Sequence, residues 1–117
     1  MTVEEINEVA EWFSRQQIPS IDNSLIKFIE VFTKKNRKYT SVLFVGDLRR
    51  EDGIVVENCV QFVSSYIHHN VTELESYNEE KFKVIKTFFN RDQFGHQHNY
   101  FVLDKLPSIN DKFTIIK

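Results

Sequence analysis

The sequence predicts a single α+β domain over residues 1–117, with one or two N-terminal helices packed on an antiparallel sheet meander of about four to five strands. Three observations lead to this prediction: a helical apolar stripe at the N-terminus, a run of short β-type segments joined by turn residues, and a central hairpin. The composition suits one folded core, since 41% of the residues are apolar, 14% are aromatic, and there are only three Gly and two Pro.

The first element is a helix from about residue 3 to about residue 16. Thr2 and Glu5 have the spacing of a capping box, and Pro19 disfavours helical geometry just before it. Trp12 lies off the apolar stripe, which makes it a candidate contact residue. The stripe follows helical spacing and comprises Val3, Ile6, Val9, Ala10 and Phe13.

The segment from Asp22 to Lys35 is compatible with two structures, and the choice changes the architecture. Lys27, Glu30 and Lys34 recur at helical spacing, which favours a second helix. The content of Ile, Phe, Val and Thr is typical of a strand, and residues 34–37 would then turn the chain into the next strand. We prefer the helix, because a strand would mix charged and apolar side chains on both faces.

The rest of the chain alternates β-type segments with turns. Residues 39–47 are a predicted strand, residues 49–53 a turn that ends in Asp-Gly, and residues from 53 to about 67 the partner strand. Beyond Asn58 the pattern suits a helix equally well. The acidic residues 71–80 are expected to lead along a sheet edge. At the C-terminal end, residues 105–111 are a predicted loop and residues 112–116 a final strand.

Residues 81–104 form the predicted central hairpin, around which the other elements are arranged. The turn falls at residues 90–95, where Asn, Asp and Gly cluster. Strand alternation places His98, Tyr100 and Val102 on one face and the odd-numbered residues of 99–103 on the other. We expect helices to cover one face of the sheet and the other face to present Tyr, His, Lys and Asn side chains.

In outline, N-terminal helices followed by a curved antiparallel sheet resemble the cystatin and nuclear-transport-factor type of fold. The resemblance concerns architecture and includes no motif. It implies a pocket between the helices and the concave sheet, where His96, His98 or Tyr100 would supply polar groups. This is the alternative function: a small-molecule-binding or enzymatic domain.

Few residues carry a recognisable chemistry. His96 and His98 stand two apart, a spacing that metal sites in β proteins use, and His68, His69 or Cys59 would be the further ligands. A His-x-His at a hairpin mouth is more typical of a polar surface, so we predict no metal and no cofactor. Cys59 stands in an apolar context, which indicates a small buried hydrophobic residue. No catalytic or phosphate-binding motif is present, so we predict no catalytic residue and no enzyme.

Charge and cysteine content predict the location of the protein and the classes of partner that it does not bind. The net charge of −2 argues against general nucleic-acid binding, although Lys34, Lys35, Arg37 and Lys38 form one basic group. The apolar runs are too short to span a bilayer, and the lone Cys59 cannot form an internal disulfide. We therefore predict a cytoplasmic protein without a membrane partner.

These observations predict a small non-enzymatic protein-binding module, and the specific hypothesis is an inhibitor such as an immunity protein that neutralises a toxin domain, for example a nuclease. The partner would be another protein with a basic surface, which acidic groups would cover. A homodimer through an exposed sheet edge is compatible with either function. The predicted partner-binding residues are four glutamates and three aromatic residues: Glu73, Glu75, Glu79, Glu80, Trp12, Tyr77 and Tyr100.

Overall fold

The computed structural model describes residues 2–16, 22–32, 38–62, 73–76, 81–106 and 113–116. Within these residues the chain forms α1 (Val3–Ser14), β1 (Asp22–Phe32), β2 (Lys38–Arg49), β3 (Val55–Phe62), β4 (Glu73–Ser76), β5 (Val84–Arg91), β6 (Gln97–Leu103) and β7 (Phe113–Ile116). The strands form one sheet in the order β4-β7-β1-β2-β3-β6-β5. Neighbouring strands are antiparallel except β1 and β7, which are parallel. The predicted α+β class, a helix on an antiparallel sheet, is confirmed.

The helix α1 begins as predicted and ends at Ser14, slightly before the expected end. Thr2 is the N-cap, and its side-chain oxygen accepts the backbone N–H of Glu5 at 3.1 Å. Most of the predicted apolar stripe is buried, whereas Val3 is exposed. Among the described residues, no helix has the length and apolar character needed to cross a membrane.

The preference for a second helix is wrong over residues 22–32, and residues 33–35 of the same prediction lie outside the described residues. Residues 22–32 form β1, which pairs antiparallel with β2 from Leu25 opposite Val45 to Phe32 opposite Lys38. The β-branched and aromatic residues of this segment match a strand. Its backbone hydrogen bonds are made mainly with β2, the next strand along the chain, as the strand interpretation predicts. The helical spacing of three charged residues does not report on such pairing.

Both predicted turns of the described region are confirmed. Between β2 and β3, Gly53 donates its N–H to the Arg50 carbonyl oxygen at 2.9 Å, with a φ of +91° that favours glycine. Between β5 and β6, Gly95 donates to the Asp92 carbonyl oxygen at 3.0 Å, with a φ of +81°. The central hairpin therefore has the predicted arrangement, two strands joined by a polar turn.

The sheet is wider than the predicted meander. Residues 22–32 and 73–76 add strands to those expected, and the predicted final strand, β7, lies between β4 and β1. The acidic segment is confirmed as an edge over residues 73–76, because β4 is the last strand on its side of the sheet. Residues 63–67 and 107–111, whose conformations were predicted above, lie outside the described residues.

The core has two sides. One side lies under α1, and the other lies on the opposite face of the sheet. The almost completely buried residues on the face opposite α1 are Val45, Val60, Phe101 and Leu103. The predicted alternation in β6 is confirmed, but the face with Tyr100 is the one that α1 covers, so the expectation of an open Tyr and His face is wrong. The core under α1 consists of Ile6, Val9, Phe13, Leu48, Val56, Cys59, Tyr100 and Val102.

Candidate functional site

The histidines of the hairpin converge on one carboxylate. Asp92 lies at the mouth of the turn, where its Oδ1 accepts the backbone N–H groups of Phe94 at 2.9 Å and His96 at 3.0 Å. Its Oδ2 lies 3.0 Å from Nε2 of His98 and 3.6 Å from Nδ1 of His96. The hydrogen bond with His98, followed by those from the backbone, lowers the pKa of Asp92 to about 2.

Both ring nitrogens of His98 have partners. Nδ1 lies 3.2 Å from the side-chain amide nitrogen of Gln61, and Nε2 lies 3.0 Å from Asp92. The amide nitrogen can only donate and the carboxylate can only accept, so the network assigns the tautomer with the proton on Nε2. Neither nitrogen of His98 is left to bind a metal or a substrate. Among the described residues, no three ligating side chains are grouped for a metal.

The Asp92 network predicts a specific pH dependence. Folding lowers the pKa of Asp92 from its ordinary value of 3.8 to about 2. The ionised carboxylate therefore stabilises the fold above about pH 4, and this contribution is lost as the pH falls towards 2. Asp92→Asn should remove that part of the pH dependence, as measured by urea unfolding between pH 2 and pH 6. The difference should shrink in a His98→Leu background, and an unchanged difference there would contradict the assigned network.

Two other candidate groups are buried in the core. Tyr100 is fully buried, with its ring stacked on Phe88 at 5.2 Å and edge-on to Phe13 at 5.1 Å. Its predicted role as a partner contact is therefore wrong, and burial raises the pKa of its hydroxyl. Cys59 is fully buried too, as predicted, and burial raises the pKa of its thiol. A thiol held in its protonated form is a poor nucleophile.

Of the other predicted contact residues, the structure describes Trp12 and the backbone of Glu73 and Glu75. Trp12 is half-buried at the margin of the core, 6.4 Å from the Phe13 ring. Glu73 and Glu75 lie in the edge strand β4. Tyr77, Glu79 and Glu80 lie outside the described residues.

A groove runs between α1 and β5, and we name it the α1–β5 groove. It encloses about 590 Å³ and is open to solvent. Its strand side is formed by four consecutive residues of β5, which means that the strand presents its edge to the groove. The lining residues are Asn7, Ala10, Glu11 and Ser14 of α1 and Lys86, Thr87, Phe88 and Phe89 of β5.

The outer edge of β5 has no paired strand in the described sheet. Asp92 donates its backbone N–H to the His96 carbonyl oxygen at 3.0 Å, which sets the alternation of the β5–β6 ladder. By this alternation, the backbone groups of Thr87 and Phe89 point away from β6. The other edge strand, β4, also approaches β5, yet the described lining of the groove belongs to α1 and β5. The edge therefore offers hydrogen-bond donors and acceptors to an added strand.

Two large apolar side chains stand on the same exposed edge. Ile85 is 47% exposed and Phe89 is 48% exposed, and burial alternates along β5 so that both point away from α1. The Arg91 guanidinium lies 5.6 Å from the centre of the Phe89 ring. At the hairpin tip, Phe94 is 74% exposed.

A second hollow lies between α1, β3 and the Ile85 and Asp104 ends of β5 and β6, and we name it the acidic hollow. It encloses about 460 Å³, and its carboxylates belong to Glu5, Glu57 and Asp104. Asp104 accepts the backbone N–H of Lys83 at 2.8 Å. Among the described residues, none of the three carboxylates forms an ion pair. The apolar floor comprises Ile6, Val55, Val56, Ile85, Val102 and Leu103.

The sequence contains weak signals for this surface. Asn7, Ala10, Glu11 and Ser14 recur at helical spacing as a stripe of small or polar residues beside the apolar stripe. Ile85 and Phe89 share one face of a predicted strand, but a pattern of alternation does not say which strand forms the edge of the sheet. The acidic hollow joins residues from four segments of the chain, and its assembly depends on the tertiary fold.

A comparison with protein-family models, curated protein sequences and solved structures finds no match to this chain.

Proposed function

We propose that this chain is a small non-enzymatic protein-binding module, and that the α1–β5 groove is its binding surface. The observation that carries the proposal is the outer edge of β5, which pairs with no strand among the described residues and where Thr87 and Phe89 direct backbone groups into an open groove. An extended segment of a partner protein would pair with this edge as an additional strand.

The contacts of such a strand follow from its alternation. Side chains on one face of the added strand would lie in the groove beside Ala10 and Phe88. Side chains on the other face would cover Ile85 and Phe89, each of which is about half exposed. Main-chain hydrogen bonds would supply affinity, and the side-chain pairs would supply selectivity. The edge of β5 thus offers both the backbone groups and the side chains that such an interface would use.

The specific form of the proposal is an inhibitor that covers a basic surface of its target, as an immunity protein covers a toxin nuclease. Exposed carboxylates lie along α1: Glu4 and Glu8 are exposed, and the Glu11 side chain, which lines the groove, is 75% exposed. Glu8 lies 3.6 Å from Arg50 and Glu11 lies 3.8 Å from Arg15, and these pairs are solvent-exposed. Such groups would favour a basic partner and accelerate its association. The partner would be a protein, and the interaction should weaken with added salt.

The alternative, a ligand pocket at His96, His98 and Tyr100, has less support from the geometry. Both nitrogens of His98 are engaged by protein groups, and Tyr100 is buried beneath α1. Neither the α1–β5 groove nor the acidic hollow is lined by these three residues. These contacts favour the binding proposal.

A change at one backbone position tests the proposal. Thr87→Pro removes an N–H that points away from β6, so the native ladder keeps its hydrogen bonds while an added strand loses a donor and meets the ring. Thr87→Val is the matched control, because it retains the N–H. A displayed library of random ten-residue peptides would be selected on the immobilised full-length chain. We expect the selected peptides to bind Thr87→Pro about tenfold more weakly by fluorescence polarisation, and Thr87→Val with unchanged affinity.

A second variant covers the case in which Thr87→Pro fails to fold. Phe89→Ser removes an exposed ring without a change to the backbone, and it should also weaken the selected peptides. The proposal would be overturned if the library yields no binder, or if the binders are indifferent to Thr87→Pro and Phe89→Ser. Self-association of the chain that Thr87→Pro abolishes would instead assign the edge to a second copy.

A further inference from the structure

We propose that the partner segment that adds along β5 places an aromatic side chain in the α1–β5 groove, opposite Phe88, where its ring continues a stack that begins with Tyr100. The inference rests on the proposed function, because it concerns the same groove. It adds the chemical class of the side chain that the partner must present.

Two rings on neighbouring strands already lie parallel to each other. Phe88 of β5 is paired with Tyr100 of β6, and their ring centres are 5.2 Å apart with an angle of 12° between the ring planes. That separation is close to the spacing of about 4.8 Å between neighbouring strands. A strand added to the outer edge of β5 would therefore place a ring opposite Phe88 at a similar distance on the other side.

The outer face of the Phe88 ring is turned towards the groove. The ring of Phe13 is nearly perpendicular to both other rings, and its centre lies 5.9 Å from that of Phe88 and 5.1 Å from that of Tyr100. The three ring centres thus form a nearly equilateral triangle, which places Phe13 above the pair and not over the outer face of Phe88. Among the described residues, Phe88 has no further ring contact, and it lines the groove.

The groove has the space and the backbone geometry for an additional ring. Its volume is about 590 Å³, and its helix wall includes the small side chains of Ala10 and Ser14. The backbone groups of Phe88 point towards β6, so an antiparallel added strand would meet Phe88 in a pair without backbone hydrogen bonds. Side chains approach each other most closely in such pairs, which favours contact between the two rings.

Other classes of side chain match this position less well. The face of an aromatic ring carries partial negative charge, which disfavours a carboxylate. Lys86 lies two residues before Phe88 on the same face of β5 and lines the groove, so its charge disfavours lysine or arginine. The carboxylate of the groove, on Glu11, already lies 3.8 Å from Arg15. An aliphatic side chain would cover the ring without the additional attraction of a stacked pair.

The test uses the same peptide library and two variants of the full chain that carry the same substitution. Phe88→Leu keeps an apolar side chain on β5 and removes the ring, whereas Phe94→Leu makes the same change at an exposed position outside the groove. Selection on the unsubstituted chain and on Phe94→Leu should enrich phenylalanine, tyrosine or tryptophan at one position of the aligned peptides. Selection on Phe88→Leu should lose this enrichment. Enrichment of aliphatic or cationic residues at that position would contradict the stack.

The affinity of a selected peptide provides the second readout, which also covers the case in which Phe88→Leu fails to fold. Replacement of the aromatic residue of the peptide by cyclohexylalanine keeps an apolar ring of similar size and removes the π-system. This change should weaken binding to the unsubstituted chain and to Phe94→Leu about fivefold, and binding to Phe88→Leu much less. Equal affinities of the two peptides for the unsubstituted chain would overturn the inference.

The dependence on Thr87 and Phe89 separates the two proposals. Peptides that depend on these residues but show no aromatic enrichment would overturn this inference and leave the proposed function intact. A library that yields no edge-dependent peptide would overturn both.

Discussion

Phe13→Ala should destabilise the chain by about 3–5 kcal/mol, because it removes the ring that joins α1 to the sheet. Phe13 is 4% exposed and makes edge-to-face contacts with Tyr100 at 5.1 Å and with Phe88 at 5.9 Å. A loss of this size is a large fraction of the roughly 5–15 kcal/mol that stabilises a typical domain. Urea unfolding followed by circular dichroism would measure it.

Two control variants separate packing from other effects. Phe94→Ala truncates a ring that is 74% exposed, so its effect should stay within about 0.5 kcal/mol. Tyr100→Phe keeps the packed ring and removes a buried hydroxyl for which the structure shows no hydrogen-bond partner. That change should be neutral or stabilising. If Phe13→Ala costs no more than Phe94→Ala, α1 is not anchored through this ring.

The elements that could be predicted from the sequence are those specified by nearby residues. Thr2 and Glu5 mark the start of α1 within a few residues of each other, and Gly53 and Gly95 occupy the turn positions that require positive φ. The sequence also predicts the strand alternation of the central hairpin, including the shared face of His98 and Tyr100. Each of these predictions depends on a local interaction, and each is confirmed.

The incorrect predictions concern which other element a segment pairs with or packs against. Residues 22–32 have a charge spacing compatible with a helix, and only their pairing with β2 makes them a strand. Tyr100 was correctly assigned to a face, yet which face α1 covers depends on packing between distant elements. The same limit applies to the α1–β5 groove, because the position of β5 at an edge follows from the order of the whole sheet.

Several features of β5 limit unintended association through its exposed edge. Edge strands that present unpaired backbone groups invite association, and charged residues or bulges reduce this risk. β5 contains Lys86 and Arg91, and its pairing with β6 shifts register between Val84 and Lys86. These features disfavour indiscriminate pairing while leaving the central residues Thr87 to Phe89 available. The combination is suited to a selective partner.

Asn90→Ala should cost about 2–3 kcal/mol, although the substitution lies far in sequence from the helix that it affects. The Asn90 side-chain nitrogen donates to the carbonyl oxygens of Phe13 at 2.7 Å and Gln16 at 2.5 Å. Asn90 is 1% exposed, so water cannot replace these bonds without opening the core. The last turn of α1 contains no basic residue, and its C-cap Arg15 is not left-handed. The bonds from Asn90 therefore add to the one that the Gln16 side chain donates to the Trp12 carbonyl oxygen at 3.1 Å.

The chemistry at position 90 distinguishes hydrogen bonding from packing. Asn90→Asp retains the size of the side chain but turns an acceptor towards two carbonyl oxygens, so at neutral pH it should destabilise more than Asn90→Ala. Acidification should reverse this order, because a protonated carboxyl can donate to one of the carbonyls. The matched control is Asn99→Ala on the neighbouring strand, where the amide oxygen accepts from Gln97 at 2.9 Å and alternation directs the side chain to the face opposite α1. Faster amide hydrogen exchange at the end of α1 in Asn90→Ala, but not in Asn99→Ala, would locate the effect at the helix terminus. Equal exchange in the two variants would show that Asn90 acts only by filling space.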